Sequence, residues 1–186
     1  MDYINCPDNF LEIPDEFSSY NGSKAVILPV PYEKTTCYVK GTENGPDAIV
    51  KASAEIESYD DELGDAYKTG ICTLNPIKID AQPEKMVGIL GRTVRKLIDD
   101  GKFVAVLGGE HSITSGIVQP FKEKYRNLSV LQIDAHTDLR EEFEGSRHSH
   151  ACAMKRVLEI CPVVPVGIRS VSSQEAEFAK SKGYKI

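Results

Sequence analysis

The chain has 186 residues, of which 41% are hydrophobic and 27% charged, with a formal net charge of −6 at pH 7. This length and composition are typical of one soluble globular domain, and we expect a single domain over residues 1–186. The negative charge argues against nucleic acid as a partner and would suit a cationic substrate. No apolar run is long enough for a membrane span, so we do not expect a membrane partner either.

The cysteines are five in number and form no Cys-x-x-Cys pair. An odd, scattered set favours reduced thiols in the cytoplasm over a disulfide framework or a zinc ribbon. They are Cys6, Cys37, Cys72, Cys152 and Cys161.

The apolar pattern predicts strands that alternate with helices. Residues 1–23 are polar and should form an N-terminal arm. The predicted strands cover residues 25–30, 103–107, 128–133 and 163–168, and residues 71–74 form either a strand or part of a loop. The predicted helices cover residues 47–58, 83–100, 112–125, 150–160 and 172–182. Repeated strand–helix units predict an α/β fold with a mainly parallel sheet and helices on both faces.

The first candidate site follows the predicted strand 128–133, where Asp134, His136 and Asp138 occupy alternate positions. In extended backbone such side chains point to the same side, and we expect the strand beneath them to be buried. Carboxylate oxygens with an imidazole nitrogen suit Mn, Fe, Co or Zn better than Ca. The alternative is a strand that simply ends in a polar turn.

A second polar segment, Gly108-Gly109-Glu110-His111-Ser112, follows the predicted strand 103–107. If both strands are parallel members of one sheet, their carboxyl ends lie at the same edge, where α/β proteins bind ligands. We therefore expect His111 to meet the aspartates and the histidine of the first segment. Two imidazoles and two carboxylates at adjacent strand ends predict a metal site.

These motifs resemble the ureohydrolases, which form the arginase and agmatinase superfamily. The resemblance extends from about residue 26 to residue 178 and is closer to agmatinase than to arginase. It rests on Pro29-Val-Pro-Tyr32, Gly41-Thr-Glu-Asn-Gly-Pro46, Gly108-Gly-Glu-His-Ser112, Asp134-Ala-His-Thr-Asp138, Ser149-His-Ala-Cys-Ala-Met154 and Gly167-Ile-Arg-Ser170.

The resemblance implies a three-layer αβα fold and two Mn²⁺ ions, with a hydroxide bridging the ions that hydrolyses agmatine to putrescine and urea. Such pairs of ions lie about 4 Å apart and lower the pKa of the water between them. Carried over by motif, His111 and Asp138 would bind one ion, His136 the other and Asp134 both. Glu110 would not bind an ion itself but would orient these ligands.

The resemblance also assigns catalytic residues. Asp138 would act in catalysis as a ligand, and His150 matches a histidine that passes a proton to the leaving amine. Imidazole suits this role because it exchanges protons near neutral pH. His148 is an alternative for it, and the residues that bind substrate are unknown. Family members are commonly trimers or hexamers, so we expect a homo-oligomer.

Two features depart from the family pattern. The family completes its metal site with a later Asp-x-Asp segment, but this sequence contains no aspartate after Asp138. Residues 184–186 should begin a further strand. The chain is thus expected to be the amino-terminal part of a longer protein, incomplete on its C-terminal side, inactive alone and binding at most one ion tightly.

Three functions stay open at this point. The first is agmatinase, and the second is another ureohydrolase, such as arginase, guanidinobutyrase or formimidoylglutamase. The third is a non-catalytic metal-binding fragment, which the incomplete ligand set suggests.

Overall fold

The computed structural model describes residues 1–185. Its strands are β1 (Tyr3–Ile4), β2 (Ala25–Val30), β3 (Ile71–Leu74), β4 (Phe103–Gly108), β5 (Val130–Ile133) and β6 (Val163–Val166). Its helices are α1 (Asp15–Ser18), α2 (Gly45–Ser53), α3 (Pro83–Asp99), α4 (Thr114–Lys124), α5 (Ala153–Leu158) and α6 (Ser173–Ser181). Across residues 1–185, no helix combines the length and the apolar character needed to cross a membrane.

The elements follow the predicted order with a few differences. Helix α2 ends at Ser53, five residues earlier than expected, and a 3₁₀ turn, His150–Cys152, precedes α5. The N-terminal arm contains the unpredicted strand β1, which pairs antiparallel with β3. Tyr184 and Lys185 do not form the expected strand, and the third residue of that prediction lies outside the described residues.

The described strands form two hydrogen-bonded sheets, of order β1-β3-β2-β4 and β5-β6. Apart from β1, all their pairings are parallel. Strands β4 and β5 are therefore not hydrogen-bonded to each other among the described residues. An apolar run specifies an extended segment but not its partner, and here β2 pairs with β4 while β6 pairs with β5.

The chain divides into two compact units. The first comprises Met1–Glu33, Cys37–Ile79 and Lys96–Glu110, and it contains the four-stranded sheet. Strand β2 lies between β3 and β4 and is buried from Val26 to Val30, which explains its continuous apolar sequence.

The second unit comprises Lys34–Thr36, Asp80–Arg95 and the chain from His111 onward. Its core is a cluster of seven buried side chains, to which α4, α5, α6 and β6 contribute. They are Val118, Leu139, Met154, Val157, Cys161, Val163 and Ala179.

One face of the β5–β6 pair is exposed, which contradicts the expected burial of the strand before Asp134. Leu131 is 62% and Ile133 80% exposed, and Val164 and Val166 are exposed as well. The polar Gln132 is buried instead, and its Nε2 donates to the carbonyl of His136 at 2.9 Å. The physical reason is that the two-stranded sheet is covered on only one face.

Candidate metal centre

The loop after β5 is fixed by the segment after β6. The amides of Arg169 and Ser170 donate to the carbonyl of Ala135 at 2.8 and 2.9 Å. Gly167 has φ +84°, and a Cβ there would lie 3.2 Å from the carbonyl oxygen of Asp134, so glycine suits both the backbone conformation and this close approach. The Gly167-Ile-Arg-Ser170 motif thus holds the backbone that carries Asp134.

His111 opens the 3₁₀ turn that leads into α4 and lies against two carboxylates. Its Nδ1 is 2.9 Å from the hydroxyl of Thr114, which orients the ring. Its Nε2 is 3.6 Å from Oδ2 of Asp134 and 3.4 Å from Oδ2 of Asp138. This Nε2 is buried and has no hydrogen-bond partner among residues 1–185.

Asp138 has a left-handed backbone, with φ +48°, which is uncommon for a residue other than glycine. The buried carboxylate of Glu175 accepts hydrogen bonds from the two residues that flank Asp138. The hydroxyl of Thr137 and the amide of Leu139 each donate to Oε1 of Glu175 at 2.9 Å. Glu175 also forms a capping box with Ser172 at the start of α6. The sequence analysis missed this role, although the Ser-x-x-Glu spacing signals the cap.

The charges of the site perturb one another. Burial, reinforced by the charge of Asp134, raises the pKa of Asp138 to about 7. Burial also acts to raise the pKa of Asp134, but the amide of His136, the nearby histidines and the amide of Ala135 outweigh it, so that this pKa is lowered. Burial lowers the pKa of His111. Two acidic groups are thus held close together beside a buried imidazole, an arrangement that a cation would stabilise.

His136 does not converge with the two aspartates as the alternation predicted. Its side chain is 63% exposed, and its Nδ1 lies 3.6 Å from Oδ1 of Asp134. The backbone leaves the extended conformation after β5, so the strict alternation of a strand no longer applies. Asp134 therefore turns one oxygen toward His111 and the other toward His136.

His150 is held by a residue that the sequence analysis did not single out. The hydroxyl oxygen of Thr35 accepts the amide proton of His150 at 2.9 Å and lies 3.1 Å from its Nδ1. The ring of Phe143 meets the His150 ring edge-on, with the centroids 5.7 Å apart. His148, the alternative residue, is partly buried, and burial lowers its pKa.

Glu110 is buried, and its amide donates to the carbonyl of Tyr32 at 3.0 Å. Its expected role in orienting metal ligands stays a prediction.

The geometry brings together three of the four predicted ligands. His111, Asp134 and Asp138 each offer a ligand atom, and these atoms lie within 4.8 Å of one another. One imidazole nitrogen and two carboxylates form a donor set for Mn, Fe, Co or Zn. The buried Nε2 of His111, which faces the two carboxylates, fits such an ion. The cluster lies beyond a parallel strand of an α/β chain. The fold and the site together therefore define a class of protein: an α/β protein with a candidate metal centre at the carboxyl end of a sheet.

Comparison with known proteins specifies the family. Residues 23–186 match the model of the arginase family. The chain is 40% identical to an N(1)-aminopropylagmatine ureohydrolase from Synechocystis sp. over 99% of its length, and 33% identical to an agmatinase from Bacillus anthracis over 90% of it. Its structure resembles that of a putative agmatinase from Clostridium difficile, with a TM-score of 0.82, 29% identity and 89% of this chain covered. The chain belongs to the arginase family.

This confirms the family resemblance and the arginase-like α/β fold with mainly parallel strands. The alignments cover 63%, 60% and 62% of the respective relatives, so the chain spans less than two thirds of their length.

Proposed function

We propose that this chain carries the first part of the active site of a manganese-dependent ureohydrolase that converts agmatine and water into putrescine and urea. The observation that carries the proposal is the cluster of His111, Asp134 and Asp138 in a member of the arginase family. Cytoplasmic location and assembly into trimers or hexamers stay predictions.

The reaction needs help because a guanidinium group is stabilised by resonance and reacts poorly with water. When bound, Mn²⁺ would supply a Lewis acid that makes water reactive at neutral pH. His111, Asp134 and Asp138 would hold one ion, and Asp134 with His136 would contribute to a second. His150 would donate a proton to the amine nitrogen as its bond to the guanidino carbon breaks.

The choice of agmatine rests on the relatives, several of which are called agmatinases. A second candidate is N(1)-aminopropylagmatine, because a relative named for that substrate is 40% identical to this chain. Both molecules present a guanidino group on a cationic chain without the carboxylate of arginine.

The test is a panel of guanidino compounds offered to the Mn²⁺-loaded full-length protein, with urea release as the readout. We expect release from agmatine or N(1)-aminopropylagmatine and none from arginine. Asp134→Asn should abolish the release, and Glu177→Gln, an exposed change on α6, should not affect it. Release from arginine alone would contradict the substrate proposal.

A non-catalytic metal-binding fragment is the alternative from another class, and the group of three ligand residues, His111, Asp134 and Asp138, would be enough for it. Tight Mn²⁺ binding without urea release from any compound of the panel would support the fragment. Release that depends on Asp134 would exclude it.

A further inference from the structure

We infer that Thr35 is a positioning residue for His150: its hydroxyl group engages Nδ1 of the ring and leaves Nε2 as the nitrogen that carries the transferable proton. This inference rests on the proposed function, because it matters for catalysis only if His150 donates a proton to the leaving amine.

Thr35 and His150 make a double contact. The hydroxyl oxygen of Thr35 accepts the His150 amide proton at 2.9 Å and also lies 3.1 Å from Nδ1 of the ring. One atom therefore anchors both the backbone and the side chain of His150. Such a contact sets the position of the ring, which a hydrogen bond to the amide alone would not do.

The proton of the Thr35 hydroxyl group bears on which nitrogen of the neutral His150 ring is protonated. The oxygen already accepts the amide proton, so its own O–H can point to the nearby Nδ1, and the neutral imidazole then carries its proton on Nε2. A hydrogen bond at one ring nitrogen sets the role of the other. A hydroxyl group also lies beside Nδ1 of His111, 2.9 Å from Thr114, and there the Nδ1 proton would point to the hydroxyl oxygen and leave Nε2 free to bind an ion.

The His150 ring is also held by the packing around it. The Phe143 ring lies nearly perpendicular to the imidazole of His150, at 86°, and this contact limits rotation of the imidazole. Phe143 itself is fixed by two backbone hydrogen bonds with Ser146 at 3.0 and 3.1 Å. Thr35 and Phe143 thus hold the ring from two directions before substrate arrives, which lowers the cost of orientation during the reaction.

The chemical consequence is a defined direction of proton transfer. His150, protonated on both nitrogens, would give the Nε2 proton to the amine nitrogen while the C–N bond breaks and its electron pair stays on the amine. The hydrogen bond to Thr35 would then involve Nδ1–H as donor, because a hydroxyl oxygen can also accept. Transfer leaves a neutral ring with its proton on Nδ1, and uptake of a proton from water at Nε2, followed by loss of the Nδ1 proton, would restore the resting Nε2–H ring.

The test is a long-range ¹H–¹⁵N correlation spectrum of the histidine rings in the 186-residue chain, which reports the tautomer without any need for activity. The His150 signals are assigned by their loss in His150→Gln. We expect the Nε2–H tautomer, with Nδ1 as acceptor, in the neutral ring. Thr35→Val should change the Nδ1 signal and speed exchange of the His150 amide about fivefold to tenfold. Thr35→Ser should restore both.

Thr114→Val is the matched control, because it removes a hydroxyl from Nδ1 of a different histidine and should alter only His111. A wild-type His150 with its proton on Nδ1, or His150 signals unchanged in Thr35→Val, would overturn the inference. If the chain releases urea, Thr35→Val should lower kcat more than it raises KM. Absence of urea release from the full-length protein, alongside the expected spectra, would count against the proposed function and leave the role of Thr35 supported.

Discussion

Asp134 lies between the two histidines of the candidate metal centre, His111 and His136. Its Oδ2 lies 3.6 Å from Nε2 of His111, and its Oδ1 lies 3.6 Å from Nδ1 of His136. A carboxylate placed in this way can bridge two cations, which is the role that the resemblance assigned to it. The bridging role stays a prediction, but the orientation of the carboxylate supports it.

Residues that support the site were harder to predict than its ligands. His111, Asp134 and Asp138 belong to short motifs in which residue types and spacing already indicate metal chemistry. Thr35 lies 115 positions from His150, and Glu175 lies 38 positions from Thr137. Such contacts depend on how the chain folds, and one sequence does not encode them in a local pattern.

Glu175→Gln tests the support of the Asp138 loop. The variant should lower the free energy of unfolding by about 1–3 kcal/mol, because it weakens hydrogen bonds to a buried charged group. Glu177→Gln, on the exposed side of the same helix, should have little effect. Chemical denaturation measures both changes, and equal effects of the two variants would refute the supporting role.

The same carboxylate predicts a pH dependence. Burial acts to raise the pKa of Glu175, but hydrogen bonds from the hydroxyl and amide of Ser172, the amide of Leu139 and the hydroxyl of Thr137 outweigh it and lower this pKa. A lowered folded-state pKa contributes stability above the unfolded-state value of about 4.3, and the contribution is lost as pH falls through the folded-state value. The stability difference between wild type and Glu175→Gln should therefore shrink in acid. A difference that stays constant from neutral pH to pH values well below 4.3 would contradict this.

Gly167→Ala tests the close approach to Asp134, with Gly145→Ala as its control. The two glycines have similar positive φ values, +84° and +80°, but only a Cβ at residue 167 meets another atom within 4 Å. Both variants should lose about 1–2 kcal/mol of stability through backbone strain. Gly167→Ala should lose more and should also bind Mn²⁺ more weakly, as calorimetry would measure. Equal losses would show that the contact with the Asp134 carbonyl is unimportant.

At the scale of elements, the positions of strands and helices followed from the apolar pattern, but their pairing and burial did not. Strand β2 was predicted with its bounds, and α3 was predicted to within one residue. The order of the strands was not predicted: in the described chain β4 pairs with β2, and β5 pairs with β6. Burial of β5 was also overestimated, since an apolar sequence does not reveal whether both faces of a strand are covered.

The exposed face of the β5–β6 pair predicts self-association. Leu131, Ile133, Val164 and Val166 form an apolar surface on a parallel sheet, a kind of sheet that proteins normally cover on both faces. The double change Leu131→Thr and Ile133→Thr makes this surface less apolar with a residue that is still compatible with a strand. It should shift the chain toward a monomer. Val39→Thr, an exposed change in the other unit, should not. Sedimentation that shows a concentration-independent wild-type monomer would contradict this prediction.

At the scale of the whole molecule, the chain carries a net charge of −6 and spans less than two thirds of the relatives that it matches. It contains no aspartate after Asp138, so any further carboxylate ligand within it would have to be a glutamate. Three ligand atoms are brought together around His111, whereas His136 faces Asp134 alone. Three protein ligands with water can hold a divalent ion, and two ligands bind it weakly.

Calorimetric titration with Mn²⁺ tests the central claim most directly. We expect one tightly bound ion per chain, with tight binding lost in His111→Ala and retained in His136→Ala, because only His111 shares the three-ligand cluster. Two ions with too few anionic ligands would also repel each other at a separation of about 4 Å. Two equally tight ions, or tight binding lost in His136→Ala and retained in His111→Ala, would contradict the assignment of the metal centre.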